Sequence, residues 1–224
     1  MTFGEMKTQV MSTLGLQDLE DYDEGVFVER DLNRGVIDLL SRTRCVVRCV
    51  HLRTQAGVDT YTLDHAILSL VEVGDSDYRA RRDEWPRGNS LYPPELWRNG
   101  FTLIRSDVLR IPAPQEDGEI DVWAVMRPTK MTAPEQSPGE EQYGAIPEEF
   151  QDAIVLYALW KGADYADDAT AQMGDRYRIQ YEGQDTRSGR LREIRLMVNK
   201  RGTARAPRSR GRTRRVSSRR AWIG

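Results

Sequence analysis

Residues 146–168 read IPEEFQDAIVLYALWKGADYADD. Pro147 has the fixed φ that suits a first helical turn, and Glu148 and Glu149 beside it suit the positive end of a helix dipole. The apolar residues Phe150, Ile154, Tyr157 and Trp160, joined by Val155, Leu156 and Leu159, cover more than one stripe of a helix spanning 147–166. A helix with so wide an apolar surface is expected to be buried from at least two sides, by neighbouring helices or by neighbouring subunits. The rest of the chain must supply that cover.

Two upstream segments carry helical periodicity. In TFGEMKTQVMSTLG (2–15), Thr2 and Glu5 have capping-box spacing, Phe3, Met6, Val10 and Leu14 repeat at near-helical period, and Gly15 is a stop. From about Val26 to Arg42, Val28, Leu32, Val36, Leu39 and Leu40 oppose Glu29, Arg30, Arg34 and Asp38, the pattern of an amphipathic helix. Downstream, about Ala169 to Lys200 is expected as one long polar helix, with Met173, Tyr177, Tyr181, Leu191, Ile194 and Val198 near one face. Gly174, Gly183 and Gly189 weaken that helix by roughly 1 kcal/mol each relative to alanine, so it is expected to need partners along its length.

Between these helices the period changes. CVVRCVHLR (45–53) is rich in β-branched residues, TQAG (54–57) is a turn, and VDTYTL (58–63) alternates, which predicts a hairpin. AILSLVEVGD (66–75), GFTLIRSDVLRIPAP (100–114) and EIDVWAVMRP (119–128) supply further strands, and WPRGNSLYPPELWRNG (85–100) reads as an irregular loop. The expected class is α+β. A helical bundle is formed by 1–43 and 144–199, with an antiparallel β-rich unit inserted at 44–128, a polar linker at 129–143 and an extended basic arm at 200–224.

Composition narrows the function classes. No run approaches the roughly 20 apolar residues of a membrane span, and MTFGEMKTQV lacks the basic start and apolar stretch of a secretory signal, so the expected place of synthesis is the cytoplasm. Glycine-rich phosphate loops, nucleophile elbows and metalloprotease helices are missing from the sequence, so neither an enzyme nor a cofactor is expected. Two cysteines (Cys45, Cys49) and two histidines (His51, His65) do not supply four ligands at metal-site spacing, and no metal is expected. Asp164, Asp167 and Asp168 cluster at one helix end, where solvated acidic groups are ordinary. Trp85, Trp97 and Trp123 are expected in core or loop-anchoring roles rather than as a base-stacking platform.

Charge is divided sharply. All 35 acidic residues precede residue 200, with 23 of the 33 lysines and arginines, so the body carries about −12 and residues 200–224 carry +10. The body's field repels phosphate. The basic segment, KRGTARAPRSRGRTRRVSSRRAWIG, interleaves arginine with Gly, Ser, Thr and Ala and cannot bury a core. Three readings compete: a solvated tail with no role, a nucleic-acid arm, and an arm that docks in a groove of a protein partner. The AWIG ending favours the protein, because Trp and Arg are the residue types most often found as interface hot spots.

The order of segments resembles the head-to-tail adaptor (connector) proteins of tailed bacteriophages. The resemblance spans about residues 3–200 and is carried by FVERDLNRGVIDLLSRT (27–43), DTYTL, AILSLVEV, LRIPAP, IDVWAVMRP and above all IPEEFQDAIVLYALWKGADYADD. It implies a virion structural protein of the neck, not an enzyme, that assembles as a ring, commonly of twelve, under the portal protein. Such a ring extends the DNA channel, lets the genome pass without sequence-specific binding, and receives downstream neck or tail proteins such as a stopper or tail terminator. The C-terminal segment would grip the portal, through Arg208, Arg210, Arg212, Arg214, Arg215, Arg219, Arg220, Trp222 and Ile223. Bundle and subunit packing would fall to Phe150, Ile154, Tyr157, Trp160, Tyr177 and Leu191. The large β unit departs from the shortest, all-helical adaptors. The rival readings are a nucleic-acid-binding protein that uses the arginine-rich tail, and another neck protein.

Overall fold

The structure is a computed structural model that describes residues 1–16, 22–75, 79–81, 101–163, 168–184 and 188–204. Helix α1 (Phe3–Leu14) begins at a capping box. The Thr2 hydroxyl accepts from the Glu5 amide at 3.2 Å, while the Thr2 amide donates to the Glu5 carboxylate at 2.8 Å. The helix ends at Gly15, whose φ of 71° places it in the left-handed region. Helix α2 (Tyr22–Thr43) buries Val28, Leu32, Val36, Leu39 and Leu40, the stripe expected from the sequence.

Among the described residues seven strands follow: β1 (Arg48–Thr54), β2 (Thr60–Thr62), β3 (Ile67–Asp75), β4 (Arg79–Arg81), β5 (Thr102–Arg105), β6 (Val108–Arg110) and β7 (Gly118–Met126). They form two antiparallel sheets, one ordered β1-β7-β3-β4 and the other β2-β6-β5. The expected hairpin between β1 and β2 is not formed. β1 pairs along its whole length with β7, from Arg48 opposite Ala124 to Thr54 opposite Gly118, and β2 pairs with β6. Alternation specifies which face of a strand is buried but not its partner. Here the turn at Gly57 (φ 76°) carries the chain across to the second sheet, where the Gly57 amide donates to the Pro114 carbonyl at 2.9 Å.

Leu63, Ile67, Val73, Phe101, Leu109, Ile111, Ile120, Val122 and Ala124 are buried together as the core of the β unit. Strand β7 serves two cores, because Val125 points away from its neighbours Ala124 and Val122 and is buried among the helices. Val46, Val47, Leu68 and Val71 pack on the same helical core, so the β unit sits directly on the bundle.

Residues 129–143, expected as a polar linker, are tied into the bundle. Met131 is buried, its amide donates to Asn33 Oδ1 at 2.7 Å, and its carbonyl accepts from Asn33 Nδ2 at 3.0 Å. The amides of Phe3 and Gly4 donate to the carbonyls of Gln136 and Pro134. A 3₁₀ turn at Glu148–Phe150 then leads into α3 (Asp152–Gly162).

Helix α3 is the centre of the bundle and packs on α1, on α2 and on α4 (Asp168–Glu182). Ala153, Ile154, Val155, Ala158, Leu159 and Gly162 are all buried. The approach of α2 is close because Gly35 faces it. A Cβ there would stand 3.2 Å from both the Ile154 carbonyl oxygen and Tyr157 Cδ1.

The single long helix expected over 169–200 is instead two, α4 and α5 (Arg190–Ala204). Gly183 (φ 97°) and Gly189 (φ 89°) adopt backbone conformations that other residues rarely reach, and they break the helix between them. The break lets both pieces fold onto one core, where Tyr177, Tyr181, Leu191 and Ile194 are buried together. Met173, expected on the inner face, is 39% exposed.

Candidate functional site

The residues expected to pack the bundle converge on α3. Phe150 and Ile154 are buried completely, Tyr177 and Leu191 nearly so, and Tyr157 and Trp160 are half-buried at the edge of the same core. Tyr157 meets Trp160 edge-on at 5.7 Å between ring centroids and Tyr181 at 5.6 Å, while Trp160 and Tyr181 lie 6.3 Å apart. Such pairs contribute about 0.5–1.5 kcal/mol beyond the area they bury. Lys161 lies over the Trp160 ring at 3.6 Å, which leaves a cation on the outer side of the cluster.

A charged belt joins this cluster to α2. The Tyr181 hydroxyl donates to Asp38 Oδ2 at 2.7 Å, and Arg42 bridges Asp38 (3.6 Å) and Glu182 (2.5 Å). Burial and the Asp38 carboxylate hold the Tyr181 phenol far above its ordinary range, so it remains a donor. Burial alone would lower the Arg42 pKa, but its hydrogen bond to Glu182 and the charge of Asp38 leave it raised. At the start of α5, Arg190 reaches Asp152 on α3 (2.9 Å) and Glu193 (2.9 Å), and also donates to the Glu149 carbonyl. These contacts fix helices to one another.

Where the bundle meets the β unit there is a cleft of about 550 Å³, lined by residues that include Leu40, Val46, Met126 and Gly144. Arg48 spans its edge, donating to the Glu141 carboxylate at 2.9 Å and to the Glu141 carbonyl at 2.6 Å. His65, also at the cleft, is exposed. The lining is a joint between the two parts of the fold, and one of its cations, Arg48, is already paired.

The arm residues Arg208, Arg210, Arg212, Arg214, Arg215, Arg219, Arg220, Trp222 and Ile223 lie outside the described residues. So do Trp85, Trp97, Asp164 and Asp167. Trp123 is half-buried on β7, in register with Cys49 of β1. Periodicity did not reveal the belt of Asp38, Arg42, Tyr181 and Glu182, because these residues belong to helices about 140 positions apart.

The family model described as SU10 adaptor protein matches residues 1–214. The chain belongs to the SU10 adaptor protein family. The match covers both parts of the fold and runs into the arginine-rich segment, and it agrees with the head-to-tail adaptor resemblance of the sequence. Among curated proteins no match was found. Adaptor membership fits a molecule whose most developed features are packing and pairing contacts. Among the described residues no helix is long and apolar enough to cross a membrane.

Proposed function

We propose that the chain is a structural component of a phage neck, assembling as a ring, of twelve copies, beneath the portal. There it extends the DNA channel and joins the capsid to downstream neck or tail proteins. The observation that carries this reading is the family match over residues 1–214, which embraces the bundle, the β unit and part of the basic arm.

Physical features support it. The acidic body favours a channel in which DNA slides without phosphate contacts holding it. Exposed Met173, Ile179 and Leu196 on α4 and α5 give the outer helices apolar groups that a neighbouring copy can cover. Tyr157 and Trp160 of α3 are also only partly buried against the helical core. In the arm, the arginines from Arg208 to Arg220 pair with carboxylates of the portal, and Trp222 and Ile223 fill apolar pockets.

The test is to mix the purified protein with its portal ring and image the product by electron microscopy. The proposal expects a coaxial ring, lost when residues 205–224, the part of the arm beyond α5, are deleted while the truncated protein keeps its circular dichroism spectrum. A truncated protein that still docks removes the arm from the interface. Absence of any ring with the full chain refutes the whole reading.

A further inference from the structure

Cys49 and His51 are two residues apart on β1, so both side chains leave the same face of the sheet. The antiparallel register sets Asp121 of β7 directly opposite His51. A cysteine sulfur, an imidazole nitrogen and a carboxylate oxygen are thereby gathered within 4.8 Å of one another. His51 Nδ1 and Asp121 Oδ1 are already 2.7 Å apart.

The scaffold under this group is rigid where it needs to be. On the opposite face, Val50 and Leu52 of β1 pack against the β core that buries Ile120 and Val122 of β7, the residues on either side of Asp121. Seven consecutive register pairs hold β1 to β7. The ligand-bearing face is accessible. The His51 side chain is 78% exposed and that of Asp121 23%, so an ion can enter without opening the core. Neither cysteine of the chain is in a disulfide.

We propose that Cys49, His51 and Asp121 form a binding site for a borderline divalent transition metal, of which Zn²⁺ is the type. The donor set selects this class. A thiolate disfavours Mg²⁺ and Ca²⁺, which take oxygen ligands, and a single cysteine does not hold an iron–sulfur cluster. One sulfur, one nitrogen and one oxygen suit Zn²⁺, and three protein ligands leave the fourth tetrahedral position to water.

The geometry needs two adjustments. Two donors at zinc-bond length stand roughly 3.3 Å apart around a tetrahedral ion. His51 and Asp121 must therefore separate slightly as the metal enters between them, and the Cys49 sulfur must close from as far as 4.8 Å to about 3.5 Å from the other donors. The exposed His51 ring has room to turn. Bound metal ties the edge strand β1 to the central strand β7. Two residues before Cys49, Val47 packs on the helical core, so the clip sits where the chain passes from the bundle into the β unit. All three ligands belong to the β unit, and the proposal does not depend on the ring or the arm.

The experiment uses the full chain, stripped with a chelator and titrated with Zn²⁺ and with Co²⁺. The expected result is one metal per chain, with a thiolate-to-cobalt charge-transfer band in the near ultraviolet and zinc raising the unfolding temperature. Cys49→Ser is expected to abolish the charge-transfer band. His51→Gln and Asp121→Asn should each weaken binding by about tenfold or more. Cys45→Ser should bind as the parent does. All four variants are compared with the parent by circular dichroism, and the exposed His51→Gln change keeps the test valid if Cys49→Ser folds poorly. Weak binding at several equivalents, a cobalt band that survives Cys49→Ser, or full affinity in His51→Gln would each overturn the site.

Discussion

Replacing Tyr181 with phenylalanine isolates one oxygen atom at the junction of three helices. The ring is fully buried, and its edge contact with Tyr157 and tilted contact with Trp160 survive the change, so packing is conserved. What disappears is the 2.7 Å hydrogen bond to Asp38. A hydrogen bond to a charged group contributes about 1.5–3 kcal/mol. The lower part of that range applies, because Asp38 keeps Arg42 at 3.6 Å and its side chain is 28% exposed to water. The expected loss at neutral pH is therefore about 1.5–2 kcal/mol, read as a lower urea midpoint with unchanged slope.

The same residue predicts a pH dependence with a definite sign. In the folded protein the phenol pKa is raised by burial and by Asp38, whereas in the unfolded chain it is near 10.0. Below pH 10 both states keep the proton and the contribution of Tyr181 is complete. Above it the unfolded chain loses the proton and the folded one does not, so stability falls as pH rises, at up to about 1.4 kcal/mol per pH unit. Phenylalanine has no proton to lose, and subtracting the variant from the parent cancels the other tyrosines. The gap in unfolding free energy should thus be constant from pH 7 to 9 and shrink above pH 10. A gap that stays constant, or widens, would refute the burial and donor role assigned to this hydroxyl.

Gly35→Ala is expected to change stability by under about 1 kcal/mol, since the gain in helix propensity offsets the tight 3.2 Å approach to Ile154 and Tyr157. Gly35→Val adds two methyl groups at that contact and should cost about 1–3 kcal/mol by urea unfolding. Arg190→Met should cost about 1 kcal/mol, because its carboxylate partners Asp152 and Glu193 are more than half exposed. That cost should diminish in high salt.

The helical half of the fold was more legible than the β half, for a physical reason. In α1 and α2 the stripes Phe3, Met6, Val10, Leu14 and Val28, Leu32, Val36, Leu39 depend on spacing within one segment, and spacing is written in the sequence. Strand pairing depends on contacts between distant segments, so Val50 and Leu52 announced a strand without announcing β7 as its partner. Gly183 and Gly189 were visible as helix-weakening residues. Their role as a break followed only from the benefit of folding Leu191 and Ile194 back onto the core that holds Tyr181. The candidate metal ligands show the same limit. The Cys49–His51 spacing is local, but Asp121 joins them through a register that no local pattern encodes.

Salt separates the two readings of the arginine-rich segment, because each assigns its charges different work. If residues 200–224 bind nucleic acid, each arginine on a phosphate releases a counterion, and a segment making 6–10 such contacts loses about 10³–10⁵ in affinity between 50 and 200 mM salt. If the segment docks on a protein, the arginine–carboxylate pairs are screened more mildly, and apolar burial of Trp222 and Ile223 is not weakened by salt. Portal binding measured across that range should therefore fall far less steeply than DNA binding. Trp222→Ala should reduce portal binding at every salt concentration, with little change in the slope. A steep salt slope for portal binding together with no effect of Trp222→Ala would show that the arginines alone hold the complex, and would remove the tryptophan from the interface.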